Sequence, residues 1–160
     1  MLAASRAAKR RITEDPISTY QRIFAALDGT DAQNAVIRRA VALARANGAA
    51  LYFAHVVDSL PADANGADYQ ALAAGVREAM EENLAPMLEE LANDPRVPSC
   101  EFKVGVGRVV DVLEEHVGEW GPDLVVCGER GYSDIKYAFV GSVSKHLIRT
   151  CRCDVLVVKE

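Results

Sequence analysis

Short apolar runs alternate with helical patterns along this chain, and that alternation restricts the fold more than any other feature. The first run, Arg22-Ile-Phe-Ala-Ala-Leu27, reads as a buried strand. It ends in Asp28-Gly29-Thr30-Asp31, a turn followed by helix-start chemistry, since Thr or Asp accepts from the free N–H groups of a first turn. Ile37, Ala40, Val41 and Ala44 then recur at i, i+3, i+4 and i+7, one face of a helix. Asn47-Gly48 closes it, glycine being suited to the left-handed conformation past a helix end. Ala49 to Val57 reads as a second apolar strand ending at Asp58, and residues 61 to 66 as a loop of Pro, Ala, Asp, Asn and Gly.

A long helical pattern runs from about Asp68 to Ala92, with Leu72, Val76, Met80, Leu84, Met87 and Leu91 as its expected buried stripe. Pro86 lies inside it and lacks a backbone donor, which predicts a kink or a break. After a turn at Asn93 to Pro98, Cys100, Phe102, Val104 and Val106 alternate with Glu101, Lys103 and Gly105, as in a strand with one solvated face at a sheet edge. A helix follows from Arg108 to Trp120, burying Val109, Leu113, His116 or Val117, and Trp120. Asp123 to Cys127 is the fourth strand, Val143 to about Thr150 the fourth helix and Asp154 to Val158 the last strand. The order β-α-β-α-β-α-β-α-β predicts an open five-stranded parallel sheet with helices on both faces. Residues 1 to about 19, rich in Ala and Arg, show no period and read as a flexible arm, which leaves one domain over residues 20–160.

Composition removes several functional classes. A net charge of −5 argues against a general nucleic-acid binder, although a small anion is held by local dipoles whatever the net charge. Every apolar run is interrupted well short of the roughly 20 residues that span a bilayer. Arg6, Lys9, Arg10 and Arg11 are followed by no apolar stretch, so no secretory signal is expected. Cys100 and Cys127 fall in strand-like runs, where cysteine behaves as a small hydrophobe, and Cys151 and Cys153 are too close for a usual C-x-x-C pair. The four thiols read as reduced and structural, with the cytoplasm as the default compartment.

In open parallel sheets ligands bind beyond the carboxyl ends of the strands, where strand order reverses. The most unusual strand end is the fourth: Cys127-Gly128-Glu129-Arg130-Gly131, then nine residues, then Gly141-Ser142. Glycines at 128 and 131 would let backbone N–H groups approach a phosphate. Gly141-Ser142-Val143-Ser144 opens the last helix, whose free N–H groups and dipole favour an anion, with two hydroxyls added. Turns need glycine anyway, so these residues alone leave plain turn chemistry open.

Three segments resemble the C-terminal half of the universal stress protein family: Asp123-Leu-Val-Val-Cys-Gly-Glu-Arg-Gly131, Val140-Gly-Ser-Val-Ser-Lys-His-Leu, and Cys153-Asp-Val-Leu-Val-Val-Lys159. Ile23-Phe-Ala-Ala-Leu-Asp-Gly29 resembles that family's first strand and turn, and His55-Val-Val-Asp58 its second strand, so the resemblance spans about Tyr20 to Lys159. The spacing G-x2-G-x9-G followed by Ser or Thr is the motif of the family's ATP-binding branch. The resemblance implies sheet order 3-2-1-4-5, an adenine nucleotide alpha hydrolase-like fold. It further implies a nucleotide site in which Asp28, with Ala26 and Leu27, meets adenine and Val56 reads the base through its backbone. Cys127 and Gly128 would flank ribose and phosphate, and Arg130, Gly131, Gly141, Ser142, Val143 and Ser144 would surround the phosphates. ATP, with or without Mg²⁺, is the implied ligand, with AMP or a cyclic adenine nucleotide as alternatives. Homodimerisation is implied through the last strand, residues 154–158, along with an unnamed protein partner and neither nucleic acid nor membrane.

Some residues depart from the family pattern. Tyr132 to Val140 is more aromatic than usual, with Lys136 placed to meet a phosphate and Asp134 to repel one or to hold Mg²⁺. Arg108-Val109 replaces a small residue followed by proline, and Arg108 either reaches the phosphates or caps a solvated helix start. His55 and His146 read as structural histidines, since no serine or cysteine stands in a nucleophile context. With phosphate donors but no convincing general base, the chain reads as a nucleotide-responsive regulatory module. The alternatives are a slow ATPase and a dimeric scaffold without nucleotide.

Overall fold

A computed structural model describes residues 20–59, 68–129 and 141–159. The elements alternate in chain order as β1 (Arg22–Leu27), α1 (Gln33–Asn47), β2 (Ala50–Asp58), α2 (Tyr69–Ala92), β3 (Cys100–Gly107), α3 (Val109–Trp120), β4 (Leu124–Gly128), α4 (Ser142–Thr150) and β5 (Asp154–Val158). The five strands form one sheet in the order β3-β2-β1-β4-β5, and every pairing is parallel. The expected arm, residues 1–19, lies outside the described residues.

Alternate strand residues point to opposite faces, and each face is covered by its own helices. Ile23, Ala25, Leu27, Leu51, Phe53, Leu124 and Val126 pack beneath α1 and α2, with Val36, Ile37, Ala40, Met80 and Leu84. Phe24, Tyr52, Ala54, Val56, Val125 and Cys127 pack beneath α3 and α4, with Val109, Leu113, Val143 and Leu147. The central strands are therefore continuous apolar runs, whereas β3, at the edge, alternates exposed Glu101 and Lys103 with half-buried Cys100 and Phe102.

Local chemistry sets the element ends. Gly48 and Gly121 follow α1 and α3 at φ 67° and 65°, and their N–H groups close onto the carbonyls of Ala44 and Val117. The Asp68 carboxylate caps α2 by accepting from the Ala71 N–H at 3.0 Å. Beneath the sheet, Asp123 accepts from the backbone N–H groups of Gln21 and Arg22 at 2.8 and 3.0 Å, joining the starts of β1 and β4. Arg22 donates to the Trp120 carbonyl and lies 4.2 Å over its ring. Asp94 accepts from Arg45 at 2.8 Å and from Arg96, which hold its carboxyl well below the usual carboxylate range.

Two expectations for α2 need correction. The helix runs unbroken through the exposed Pro86, so of the expected kink or break the break does not occur. Leu72 is 51% exposed and Ala73 takes the inward place against Val57 and Val104, because over a long helix the 3.6-residue period drifts away from a four-residue stripe.

Candidate functional site

β1 pairs with β2 on one side and β4 on the other, so strand order reverses between β1 and β4. The chain leaves β1 for a helix on one face and leaves β4 for a helix on the opposite face, which opens a crevice beyond the two carboxyl ends.

The β1 side of this crevice is held by several hydrogen bonds. Asp28 Oδ1 accepts from the Thr30 N–H and from the Thr30 hydroxyl, both at 2.9 Å. Gly29, at φ 80°, donates its N–H to Gln33 Oε1 at 3.0 Å. His55 Nδ1 donates to the Leu27 carbonyl at 2.9 Å, and a Cβ on Gly29 would stand 3.1 Å from the His55 ring. The expected cap from Thr30 or Asp31 is absent: the N-cap is Ala32, with no side-chain bond. The first N–H groups of α1 reach the carbonyls of Thr30, Asp31 and Ala32 instead, at 3.1, 3.1 and 3.3 Å. Gln33, which sequence reasoning missed, is a buried glutamine at a helix start; flanked by Asp31 and Asn34, it carried no signal in the sequence.

On the β4 side, Gly128 pairs with Val158, and the Glu129 N–H donates to the Val158 carbonyl at 2.9 Å. The Gly141 N–H returns to the Glu129 carbonyl at 2.8 Å, which brings Gly128 and Gly141 to the same end of β4. α4 then starts without a side-chain cap and without an acidic residue in its first turn. The N–H of Lys145 bonds to the Gly141 carbonyl at 3.0 Å, so the N–H groups of Ser142, Val143 and Ser144 precede the intrahelical ladder. Their dipoles give this end a partial positive charge suited to an anion.

The remaining expected residues fall into two groups. Ala26 is half-buried, and Ser142 is exposed at the helix start. Leu27, Val56 and Cys127 have side chains buried in the two cores, so only their backbone can face a ligand. β2 continues through Val56, Val57 and Asp58 beyond His55, the last residue paired with β1. Val143 is also buried, and the buried Ser144 hydroxyl donates to the Gly141 carbonyl at 3.0 Å, so it is already engaged within the helix start. Arg130, Gly131, Asp134 and Lys136 lie outside the described residues. Arg108 stands at the N-cap of α3, paired with Asp111 at 3.9 Å.

Neither other histidine faces the crevice with a nucleophile. His146 pairs with Glu114 at 2.9 Å, and His116 Nδ1 shares a hydrogen bond with the Tyr52 hydroxyl at 3.2 Å. All four cysteines are free thiols, and burial pushes Cys127 up to about 12 and Cys100 to about 11. Among the described residues, no cluster of His, Cys, Asp or Glu could hold a metal ion and no helix is long and apolar enough to cross a membrane. A cleft of about 610 Å³, lined by none of the expected site residues that are described, lies between Asp31, Ala32, Ala35, Arg38 and Arg39 on one side and Val158 and Lys159 on the other.

Residues 19–159 match the sequence profile of the universal stress protein family. The chain belongs to the universal stress protein family. A putative universal stress protein of Staphylococcus haemolyticus is 30% identical over 142 residues, covering 88% of this chain and 86% of its own. A universal stress protein of Synechocystis is 29% identical over 153 residues, covering 88% and 98%. Among solved structures, universal stress protein UspA from Lactobacillus plantarum superposes with a TM-score of 0.77 at 22% identity, covering 88% of this chain and 99% of its own, which speaks to the fold. A universal stress protein solved in complex with cAMP superposes with a TM-score of 0.59 at 30% identity, covering 89% and 98%. An Arabidopsis thaliana member solved with AMP bound superposes with a TM-score of 0.57 at 16% identity, covering 88% and 92%.

Proposed function

We propose that this universal stress protein binds an adenine nucleotide, ATP first among them, in the crevice between the ends of β1 and β4. The observation that carries the reading is the uncapped start of α4, tied by the Gly141–Glu129 bond to the end of β4 at the point where strand order reverses. Amide groups there suit a phosphate chain, while the Asp28–Gly29 turn and the backbone of Val56 suit the base and ribose. The cAMP and AMP complexes of other family members support an adenine ligand. ATP rests on the G-x2-G-x9-G-Ser spacing, of which Gly131 and Arg130 are part.

Nucleotide occupancy acts as the signal of a regulatory module and not as a catalytic step. The described residues offer phosphate donors and no general base aligned with them. The chain pairs with a second copy through β5, whose outer edge has no neighbour among the described strands and carries half-buried Val155, Leu156, Val157 and Val158. It works in the cytoplasm, with residues 1–19 as an appended arm.

Calorimetry of the full chain with ATP and Mg²⁺, AMP and cAMP tests this reading. Wild type should bind at least one of the three, and Gly141→Val should abolish binding while circular dichroism stays unchanged. Absence of binding by folded wild type refutes the proposal and leaves the dimeric scaffold.

A further inference from the structure

On the α1 face of the sheet the core stops short of the last strand. Ile23, Ala25, Leu124 and Val126 of β1 and β4 are buried on that face, while Leu156 and Val158 of the edge strand β5 pack against the same core and stay half-buried. A groove therefore runs between α1 and β5. The cleft of about 610 Å³ forms one end of it and a second cleft of about 530 Å³ the other, with Arg39 lining both. The second end is apolar at Tyr20, Leu43 and Leu156. The first is basic: Arg38, Arg39 and Lys159 line it, with Asp31 as the one carboxylate among the lining residues. The three cations are exposed and form no ion pair with a described residue.

We propose that residues 12–19 of this chain occupy the groove, with Glu14 and Asp15 on its basic end and Ile17 on its apolar end. The segment enters at the right place. Tyr20 lines the groove, its N–H donating to Asn47 Oδ1 at the end of α1 at 3.3 Å and its hydroxyl to Asp154 Oδ2 at the start of β5 at 2.9 Å. The length matches as well. From Asp154 to Lys159 the strand covers roughly 17 Å, and the five or six residues from Tyr20 back to Asp15 or Glu14 reach up to about 18–22 Å when extended. The charge is complementary. Ile12-Thr-Glu-Asp-Pro-Ile-Ser-Thr19 holds both carboxylates of residues 1–19 and no cation, opposite three cations and one carboxylate of the cleft. Attraction between exposed charges is weak singly, so Ile17 against Leu43 and Leu156 supplies the apolar contact that fixes the register. Pro16 lacks an N–H, which suits packing on side chains more than a strand ladder and leaves the backbone edge of β5 to a second copy. The family-matched stretch begins at residue 19, so the docked segment is an addition to the shared domain. Docking requires neither a bound nucleotide nor a dimer.

The test treats the full chain with a water-soluble carbodiimide, which joins a carboxylate to a lysine in contact with it, and then digests it with trypsin. The expected product is Ile12–Arg22 joined to Cys153–Glu160 through Glu14 or Asp15 and Lys159, lighter by one water. Glu101 and Lys103, 3.8 Å apart, provide the positive control as an internal link within Val97–Arg108. In a mixture of ¹⁴N- and ¹⁵N-labelled chains each joined product should carry a single label. Arg38→Gln with Arg39→Gln introduces no reacting group, and neither does Ile17→Asn. Each variant should lower the yield of the Lys159 link about threefold or more, with the control link and circular dichroism unchanged. The control link without the Lys159 link, joined peptides of mixed label, which would place another copy's segment in the groove, or full yield in either variant would each overturn the proposal.

Discussion

Gly105→Ala places a Cβ 2.6 Å from Val112 Cγ1, where α3 crosses β3. Ordinary carbon–carbon contact needs about 3.5 Å, so Val112 or the helix must retreat by roughly 0.9 Å. The retreat is resisted: valine holds one strongly preferred χ1 in a helix, and the same side chain approaches the Gly107 position through Cγ2 at 2.8 Å. Overpacking of this kind costs about 1–3 kcal/mol, while exchanging glycine for alanine returns about 0.4–1 kcal/mol through the unfolded chain. A net loss of about 1–2 kcal/mol follows, read as a lower urea midpoint at unchanged slope. Val112→Ala removes both offending methyl groups, so the double variant should recover most of the loss, with a coupling of about 1–2 kcal/mol in the thermodynamic cycle. Additive losses in the double variant, within about 0.5 kcal/mol, would refute the claim that Val112 is the obstacle.

Other perturbations separate packing from chemistry. Leu147→Ala empties a fully buried position between α4 and the sheet and should cost about 2–5 kcal/mol in urea denaturation. Burial lowers the pKa of His116 from its ordinary 6.5, against the raising effect of Glu115 and Glu119. The folded state therefore binds fewer protons, and the stability this group contributes is complete above 6.5 and is lost as pH falls from 6.5 through the depressed folded value; His116→Gln should remove that part of the pH dependence measured by denaturation. Because the side chain of Cys127 is buried away from the crevice, Cys127→Ala should leave ATP affinity within about twofold of wild type by calorimetry. A larger loss would mean that the thiol itself touches the ligand.

Sequence patterns revealed whatever depended on near neighbours. The buried face of α1 at Ile37, Ala40, Val41 and Ala44 follows from helical period, and Gly48 at φ 67° from the one residue type that enters that conformation freely. The edge position of β3 showed as alternation, and the interior of β1, β2 and β4 as unbroken apolar runs. What stayed hidden depends on which elements meet. Leu72 fits a four-residue stripe, yet the sheet beneath the first turn of α2 receives Ala73. Thr30 and Asp31 have the chemistry of a helix cap, but Gln33 and the Asp28 carboxylate organise that turn through bonds to Gly29 and Thr30.

The candidate site shows the same division in a sharper form. A crevice that recognises its ligand through backbone groups asks of its residues only that they be small or turn their side chains away. Gly128 and Gly141 meet the first condition; Leu27, Val56 and Cys127 meet the second, with their side chains in the cores. Sequence therefore exposes the first group as a glycine spacing and hides the second among ordinary strand residues. The same logic explains why Ser144, a hydroxyl in the right place by spacing, belongs to the scaffold: its bond to the Gly141 carbonyl braces the turn that presents the amide groups. Where the ligand is met by amides, the side chains that matter are those that hold the amides still, and the buried residues Gln33, His55 and Ser144 bond to the backbone of Gly29, Leu27 and Gly141.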